Sequence, residues 1–413
     1  MIRSIQCEEE FPPFKGEFAM DFHELPPTVP NLAEVHLLTG PNGTGKTRIL
    51  SAIAAVLGNS KPLQKRSGTE SLPSFLSFVE DEKQTYEFSS DPDVVRAEFH
   101  EFLESGVGTS GIGDILRVAF AYSGNPFLSD SPIQETDQRI RPTKKECLSF
   151  SRLEGDSTSL RIALRDIRTQ AALDESSQEQ NSRAVQMVRA LENSIREITG
   201  ADFAFKINTY PNPSLKVRWN GADLGFDLLP DGLRSLIGWI AHSVVMMDLW
   251  LEGKEDPTQA KAVFLLDEIE CFLHPAWQRR VLPTFQRLFP NSQIIMATHS
   301  PFVISSLNHG WIHPLQLNKD GTVTPENPVE ASEGDSYIDV LEDIMGIPEW
   351  YDPETEQLLT EFREKRDHAY LGNGDSENSA RELAIQIAKR SDGLQQMMGR
   401  ELAQMDRQLA KAS

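Results

Sequence analysis

Apolar residues along this chain fall in blocks whose length and spacing change in a regular order. Val35–Leu38 and Ala262–Leu266 are short apolar runs. Ser292 to Thr298 encloses a third. Each ends in polar or glycine-rich sequence, the pattern of buried strands of a parallel sheet with both faces covered. Arg48–Leu57 has helical composition and spacing, and Leu236–Leu251 is a longer apolar segment that predicts a buried helix. Across 157–199, Leu160, Leu164 and Ile167, then Val185, Val188, Leu191 and Ile195, recur at helical spacing and predict a helical hairpin broken near 174–180. Phe203–Ile207, Leu215–Trp219, Leu224–Leu228 and Trp311–Leu317 read as further strands, and residues 58–112 as loops with short helices.

Beyond residue 330 the character changes. Ile338–Phe362, interrupted at Pro348 and Pro353, and Ala380–Ala410 read as helical, with a loop signal over Leu371–Asn378 between them. In the last segment Leu383, Ile387, Leu394, Met398, Leu402, Met405 and Leu409 form an apolar stripe. Such a stripe packs on its own domain or offers a docking surface, and both readings stay open.

Composition narrows the class. The 413 residues, 39% hydrophobic and 25% charged, fit a globular protein of two or three domains, or one large domain with insertions. A net charge of −22 argues against a surface built for indiscriminate DNA binding, and leaves room for local basic loops at Arg139, Arg141, Lys144 and Lys145, or at Lys61, Lys65 and Arg66. Cys7, Cys147 and Cys271 stand far apart, which disfavours disulfides and a cysteine zinc site and fits a reducing compartment. The first ten residues are too charged for a signal peptide, and the longest apolar segment carries His242 and Asp248. A soluble cytoplasmic protein is expected.

The strand at Val35 runs into Gly40-Pro-Asn42-Gly43-Thr44-Gly45-Lys46-Thr47, a complete phosphate-binding pattern, and then into a helix beginning near Arg48. Glycines let successive backbone amides turn inward around phosphate oxygens, where the positive end of the helix dipole adds attraction. Lys46 would reach the terminal phosphates and the Thr47 hydroxyl would ligate magnesium. Asp267 and Glu268 end the run at Ala262. Acids there either cap a strand for solubility or, beside a phosphate loop, hold a magnesium ion (Asp267) and polarise a water (Glu268). His299 ends the next strand, where its imidazole could meet a γ-phosphate. Leu228–Ile240 opens a helix with a glycine-containing turn, which reads equally as an anion site at Gly232 or as an ordinary helix start with Asp231 near the cap.

The order of these pieces resembles the soluble branch of the ABC-type ATPases, the RecF-, SMC- and OLD-like heads and the stand-alone ATPases of bacterial defence islands, over roughly residues 1–60 and 200–330. Met1–Ile5 and Phe14–Phe18 are similar to the N-terminal β-lobe of those proteins. Asp267 to Pro275 is similar to their extended Walker B segment and D-loop, Thr298–Ser300 to their switch histidine, and Leu229–Leu236 to their signature motif. Pro230 stands where many members have serine, and Gln134 is a weak candidate for their glutamine loop.

The resemblance implies an α/β P-loop ABC-ATPase head with a helical insertion and a C-terminal helical extension. Its organisation would be 1–155 (β-lobe, P-loop and loop-rich insertion), 156–200 (helical hairpin), 201–330 (signature helix, Walker B and switch-histidine core) and 331–413 (helical partner-docking region). ATP and Mg²⁺ would bind Asn42, Gly43, Thr44, Gly45, Lys46, Thr47 and Arg48, with Thr47 and Asp267 on the metal and Glu268 and His299 catalytic. Gly232 would act from a second subunit of a homodimer or higher oligomer. No nuclease constellation is visible, so a separate subunit, an HNH-type nuclease in Septu-type or retron-associated antiviral defence, would meet DNA or RNA. A DNA-repair ATPase that holds DNA itself and a slow, nucleotide-locked scaffold are the rivals, and a transporter ATPase is more distant.

Overall fold

The computed structural model describes residues 1–14, 16–26, 31–57, 59, 61–67, 76–81, 84–89, 119–124, 157–208, 214–331, 334, 336–371 and 374–412. Gln134, Cys147 and the basic loop at 139–145 lie outside the described residues, as do the side chains of Lys65 and Arg66. Two compact units result, residues 1–345 and 346–413.

In the first unit the strands are, in chain order, β1 (Ile2–Cys7), β2 (Phe18–Asp21), β3 (Glu34–Thr39), β4 (Leu76–Asp81), β5 (Gln84–Ser89), β6 (Ala119–Ser123), β7 (Phe203–Asn208), β8 (Ser214–Trp219), β9 (Ala222–Leu224), β10 (Val263–Asp267), β11 (Gln293–Ala297), β12 (Trp311–Leu317), β13 (Val323–Pro325) and β14 (Val329–Glu330). They make a central sheet ordered β13-β12-β3-β11-β10-β6, an N-terminal sheet ordered β2-β1-β4-β5, and a small sheet β7-β8-β9. The run β12-β3-β11-β10-β6 is parallel throughout.

Why the apolar runs are continuous follows from the two cores they separate. Val35, Phe120, Phe264 and Ile294 face one core, built with the helices Asp231–Trp250, Pro275–Leu288, Ser157–Ser176 and Arg183–Thr199. Their neighbours Leu38, Ala119, Leu265 and Ile295 face the other, which holds the helix Lys46–Val56 and the β1–β2 residues Ile2, Ile5 and Phe18. Side chains alternate across a strand, so both parities must be apolar when both faces are covered. Each buried leucine, isoleucine or phenylalanine contributes about 1.5–3 kcal/mol.

Local signals set several ends. The Ser182 hydroxyl accepts from the Val185 amide at 3.3 Å to start one hairpin helix, and Gly200, at φ 70°, ends it. Some sequence expectations need correction. Leu224–Leu228 is not one strand: β9 stops at Leu224 and Phe226–Leu228 is a 3₁₀ turn. Part of 58–112 is the hairpin β4–β5, whose β4 pairs antiparallel with β1.

The second unit is three helices, Pro353–Tyr370, Gly374–Ala388 and Asp392–Ala412. The helical stretch expected over Ala380–Ala410 is therefore broken between Ala388 and Asp392, and the expected loop at Leu371–Asn378 is shorter, since a helix begins at Gly374. Ile387, Leu394, Met398 and Met405 of the stripe are buried in this unit's core with Leu359 and Phe362, and Leu383, Leu402 and Leu409 pack against them. Among the described residues no helix is long and apolar enough to cross a membrane.

Candidate nucleotide site

Three glycines shape the loop between β3 and its helix. Gly40, Gly43 and Gly45 have φ of 144°, 86° and 83°, conformations that side chains resist. At Gly40 there is a second reason, because a Cβ would lie 2.4 Å from the Leu315 carbonyl oxygen. Lys46, the first residue of the helix, folds back so that its Nζ donates to the carbonyls of Gly40 (2.8 Å) and Pro41 (3.0 Å) and to Thr44 Oγ1 (3.3 Å). Burial pushes its pKa down to about 8, against the opposing charges of Glu268 and Asp267.

From the carboxyl end of β10, Asp267 Oδ1 accepts a hydrogen bond from Thr47 Oγ1 at 2.9 Å. Two residues 220 positions apart thus meet through a hydroxyl and a carboxylate, hard oxygen donors of the kind Mg²⁺ takes. The next residue, Glu268, has φ 50°, a conformation that costs a non-glycine residue on the order of 1 kcal/mol or more. Its carboxylate is partly exposed, and its Oε1 lies 3.6 Å from His299 Nε2. Burial lowers the pKa of His299, the Lys46 charge lowers it further, and Glu268 opposes both. A neutral imidazole results at pH 7.

The loops after β10 and β11 are built alike. His274 Nδ1 accepts from the Ala276 amide (3.2 Å) before Pro275, and Ser300 Oγ accepts from the Val303 amide (3.3 Å) before Pro301. Proline at the first helical position costs no hydrogen bond, so both loops turn sharply into helices.

Not every predicted residue joins this group. Arg48 turns away, with its guanidinium over the Phe11 ring at 5.5 Å, and burial lowers its pKa. Gly232, expected to act from a second subunit, packs within its own chain on the turn after β10, where a Cβ would come within 2.5 Å of the Phe272 carbonyl oxygen. Pro230 is the N-cap of that helix and supplies no side-chain cap, while Asp231 pairs with Arg234 rather than capping. Sequence reasoning missed Gly124 at the end of β6, where a Cβ would meet the Glu268 carbonyl oxygen at 2.1 Å. Its position directly after a strand was the available signal. It also missed Glu270, Gln278, Thr298 and Ser300 as a hydrogen-bonded set; Glu270 is buried and its carboxyl is pushed up to about 7 by burial.

The described family "AAA domain, putative AbiEii toxin, Type IV TA system" matches residues 149–305, which contain Gly232, Asp267, Glu268 and His299. The P-loop lies outside that stretch and stands as a separate observation. Septu protein PtuA of Bacillus thuringiensis is 24% identical over 362 residues, covering 81% of this chain and 84% of that protein. The chain is thus similar in sequence to a Septu protein over most of its length and to retron ATPases over shorter stretches. The "Retron Vc95 probable ATPase" of Vibrio cholerae is 27% identical over 123 residues, 30% of this chain and 24% of that protein. Among solved structures, the SMC head domain from Thermotoga maritima aligns with a TM-score of 0.40 and 15% identity, over 80% of this chain and 99% of that one.

Proposed function

We propose that the chain binds and hydrolyses ATP as one half of a head-to-tail pair, and that closure and reopening of the pair control a partner effector, a nuclease of an anti-phage system. The observation that carries the hydrolytic part is the meeting of Thr47 and Asp267 beside Lys46, with Glu268 and His299 on the same rim. Bound there through Thr47 and Asp267, Mg²⁺ would neutralise charge on the β- and γ-phosphates.

The chain's own groups supply the rest. Amides of Asn42 to Thr47 would wrap the phosphates, and Lys46 Nζ would exchange its bonds to the Gly40 and Pro41 carbonyls for phosphate oxygens. Glu268, exposed enough to meet solvent, would accept a proton from the attacking water. His299, neutral and next to Glu268, would donate its N–H to the γ-phosphate. From the second subunit, the helix start at Gly232 would close the site. The C-terminal helices, a compact unit of their own, would carry the partner.

Glu268→Gln tests this reading. Phosphate release should fall by about 10²-fold or more while ATP stays bound. Equal, slow release by both proteins would favour the nucleotide-locked scaffold, for which the missing hydroxyl at Pro230 speaks.

A further inference from the structure

Four side chains form a closed ring around the backbone of His299, and none of them has a part in nucleotide binding or hydrolysis as proposed above. Glu270 Oε1 accepts from Thr298 Oγ1 and, at 3.4 Å, from the His299 amide. Thr298 Oγ1 accepts in turn from the Ser300 amide at 3.0 Å. Ser300 Oγ donates to Gln278 Oε1 at 2.7 Å. Gln278 Nε2 then donates to the carbonyls of Glu270 (3.2 Å) and Leu273 (3.0 Å), which returns the ring to its start.

Such a ring does more than stabilise. Residues on both sides of His299 are hydrogen-bonded into the ring, and so is its own amide, which restrains the backbone that carries the imidazole. Hydrogen bonds in a buried ring reinforce one another, and the ring resists small displacements of any member. The turn it fastens, Glu270–Leu273, is the one on which Gly232 packs through the Phe272 carbonyl. Glu270 enters only as an acceptor, and its Oε2 has no hydrogen-bond partner among the described residues. A glutamine whose side-chain carbonyl takes the place of Oε1 can therefore stand in for it.

We propose that Glu270 and Gln278 are positioning residues that hold the backbone of His299 in register with Glu268 by fastening its loop to the Glu270–Leu273 turn. The catalytic consequence rests on the hydrolytic reading above, whereas the ring is readable without turnover. A displacement of about 1 Å at a reacting group costs about 10²-fold in rate, so loosening the loop should lower kcat and leave nucleotide affinity nearly alone.

The test uses the full chain with Glu270→Ala, Glu270→Gln and Gln278→Ala. Two readouts are taken: ATP hydrolysis, and the His299 ring signals of histidine-labelled protein by NMR, assigned by their loss in His299→Gln. Both alanine variants should lose roughly 10- to 100-fold in kcat with KM for ATP changed less than about threefold. They should also shift the His299 signals, and Glu270→Gln should restore both readouts. Gln278 is half-buried, so Gln278→Ala carries the test should Glu270→Ala fail to fold. Unshifted His299 signals in the alanine variants overturn the proposal, whatever their rates. Absence of hydrolysis by the wild type overturns the hydrolytic reading instead, and the His299 signals still decide the ring.

Discussion

The P-loop and the start of the helix Asp231–Trp250 are both glycine-containing turns into a helix, yet they are finished differently. In the P-loop every key polar group has a partner inside the chain: Lys46 on the loop carbonyls, Thr44 on the Pro41 carbonyl at 2.9 Å, Thr47 on Asp267. At the helix start no side chain caps the first turn, Asp231 is drawn off by Arg234, and the adjoining Leu228 is 72% exposed. The first site can assemble within one chain. The second holds a helix end without a side-chain cap, the feature on which the proposed contact from a second subunit rests.

Substitutions on each side sharpen or break this contrast. The largest effect belongs to Lys46→Ala, which should weaken ATP binding by about 10²-fold or more, since it removes a charged hydrogen bond of roughly 3 kcal/mol. Equilibrium titration with a fluorescent nucleotide checks it, and near-native affinity would mean the lysine stays on its loop carbonyls. Next, Gly232→Ala should lower hydrolysis by about 10-fold while leaving ATP affinity unchanged, because the new Cβ forces the Phe272 turn to shift. A parallel loss of affinity would show that the two sites are not separable.

The pH dependence of ATP affinity is a smaller effect with a definite sign. Lys46 titrates at about 8 in the free protein, so its charge is present below that pH and is lost above it. Affinity should be flat from pH 6.5 to 7.5, then fall by up to about tenfold per pH unit above 8. Lys46→Met should remove this dependence. Smallest of all, Pro230→Ser adds the absent cap hydroxyl and should gain about 1 kcal/mol of helix stability, read as a rise in Tm. A rise in turnover as well would show that the helix start acts on phosphate.

The sequence made the P-loop legible because its chemistry is local: glycines, lysine and threonine must be neighbours for their amides and side chains to converge. Asp267 and Glu268 were legible because a complete phosphate loop upstream gives acids at the end of a buried strand a use beyond solubility. Arg48 shows the limit. Its neighbours suggested phosphate, but the approach of Phe11 gave its guanidinium an aromatic face. A second case is the set of buried Glu34, His36, Gln293 and His313 with partly buried Arg3, which ties the N-terminal sheet to the central one and shows no pattern along the chain. Glu34 lies 2.8 Å from Arg3 and 2.9 Å from His36, which lies 3.1 Å from His313. Burial lowers the pKa of both histidines, that of His313 to about 3, so both are neutral.

What the sequence determined alone is therefore the set of strand ends and loops that periodicity and local motifs encode: the phosphate loop, the acidic strand end, the histidine strand end and the buried helix. Tertiary structure decided which of them meet. Thr47 reaches Asp267 because β11 spaces β3 from β10 in a parallel sheet. Gly232 packs on the Phe272 turn, and Glu270 closes a ring with residues from two other segments. Pairings between residues far apart in sequence depend on strand order and packing, which leave no period and no spacing in the chain itself.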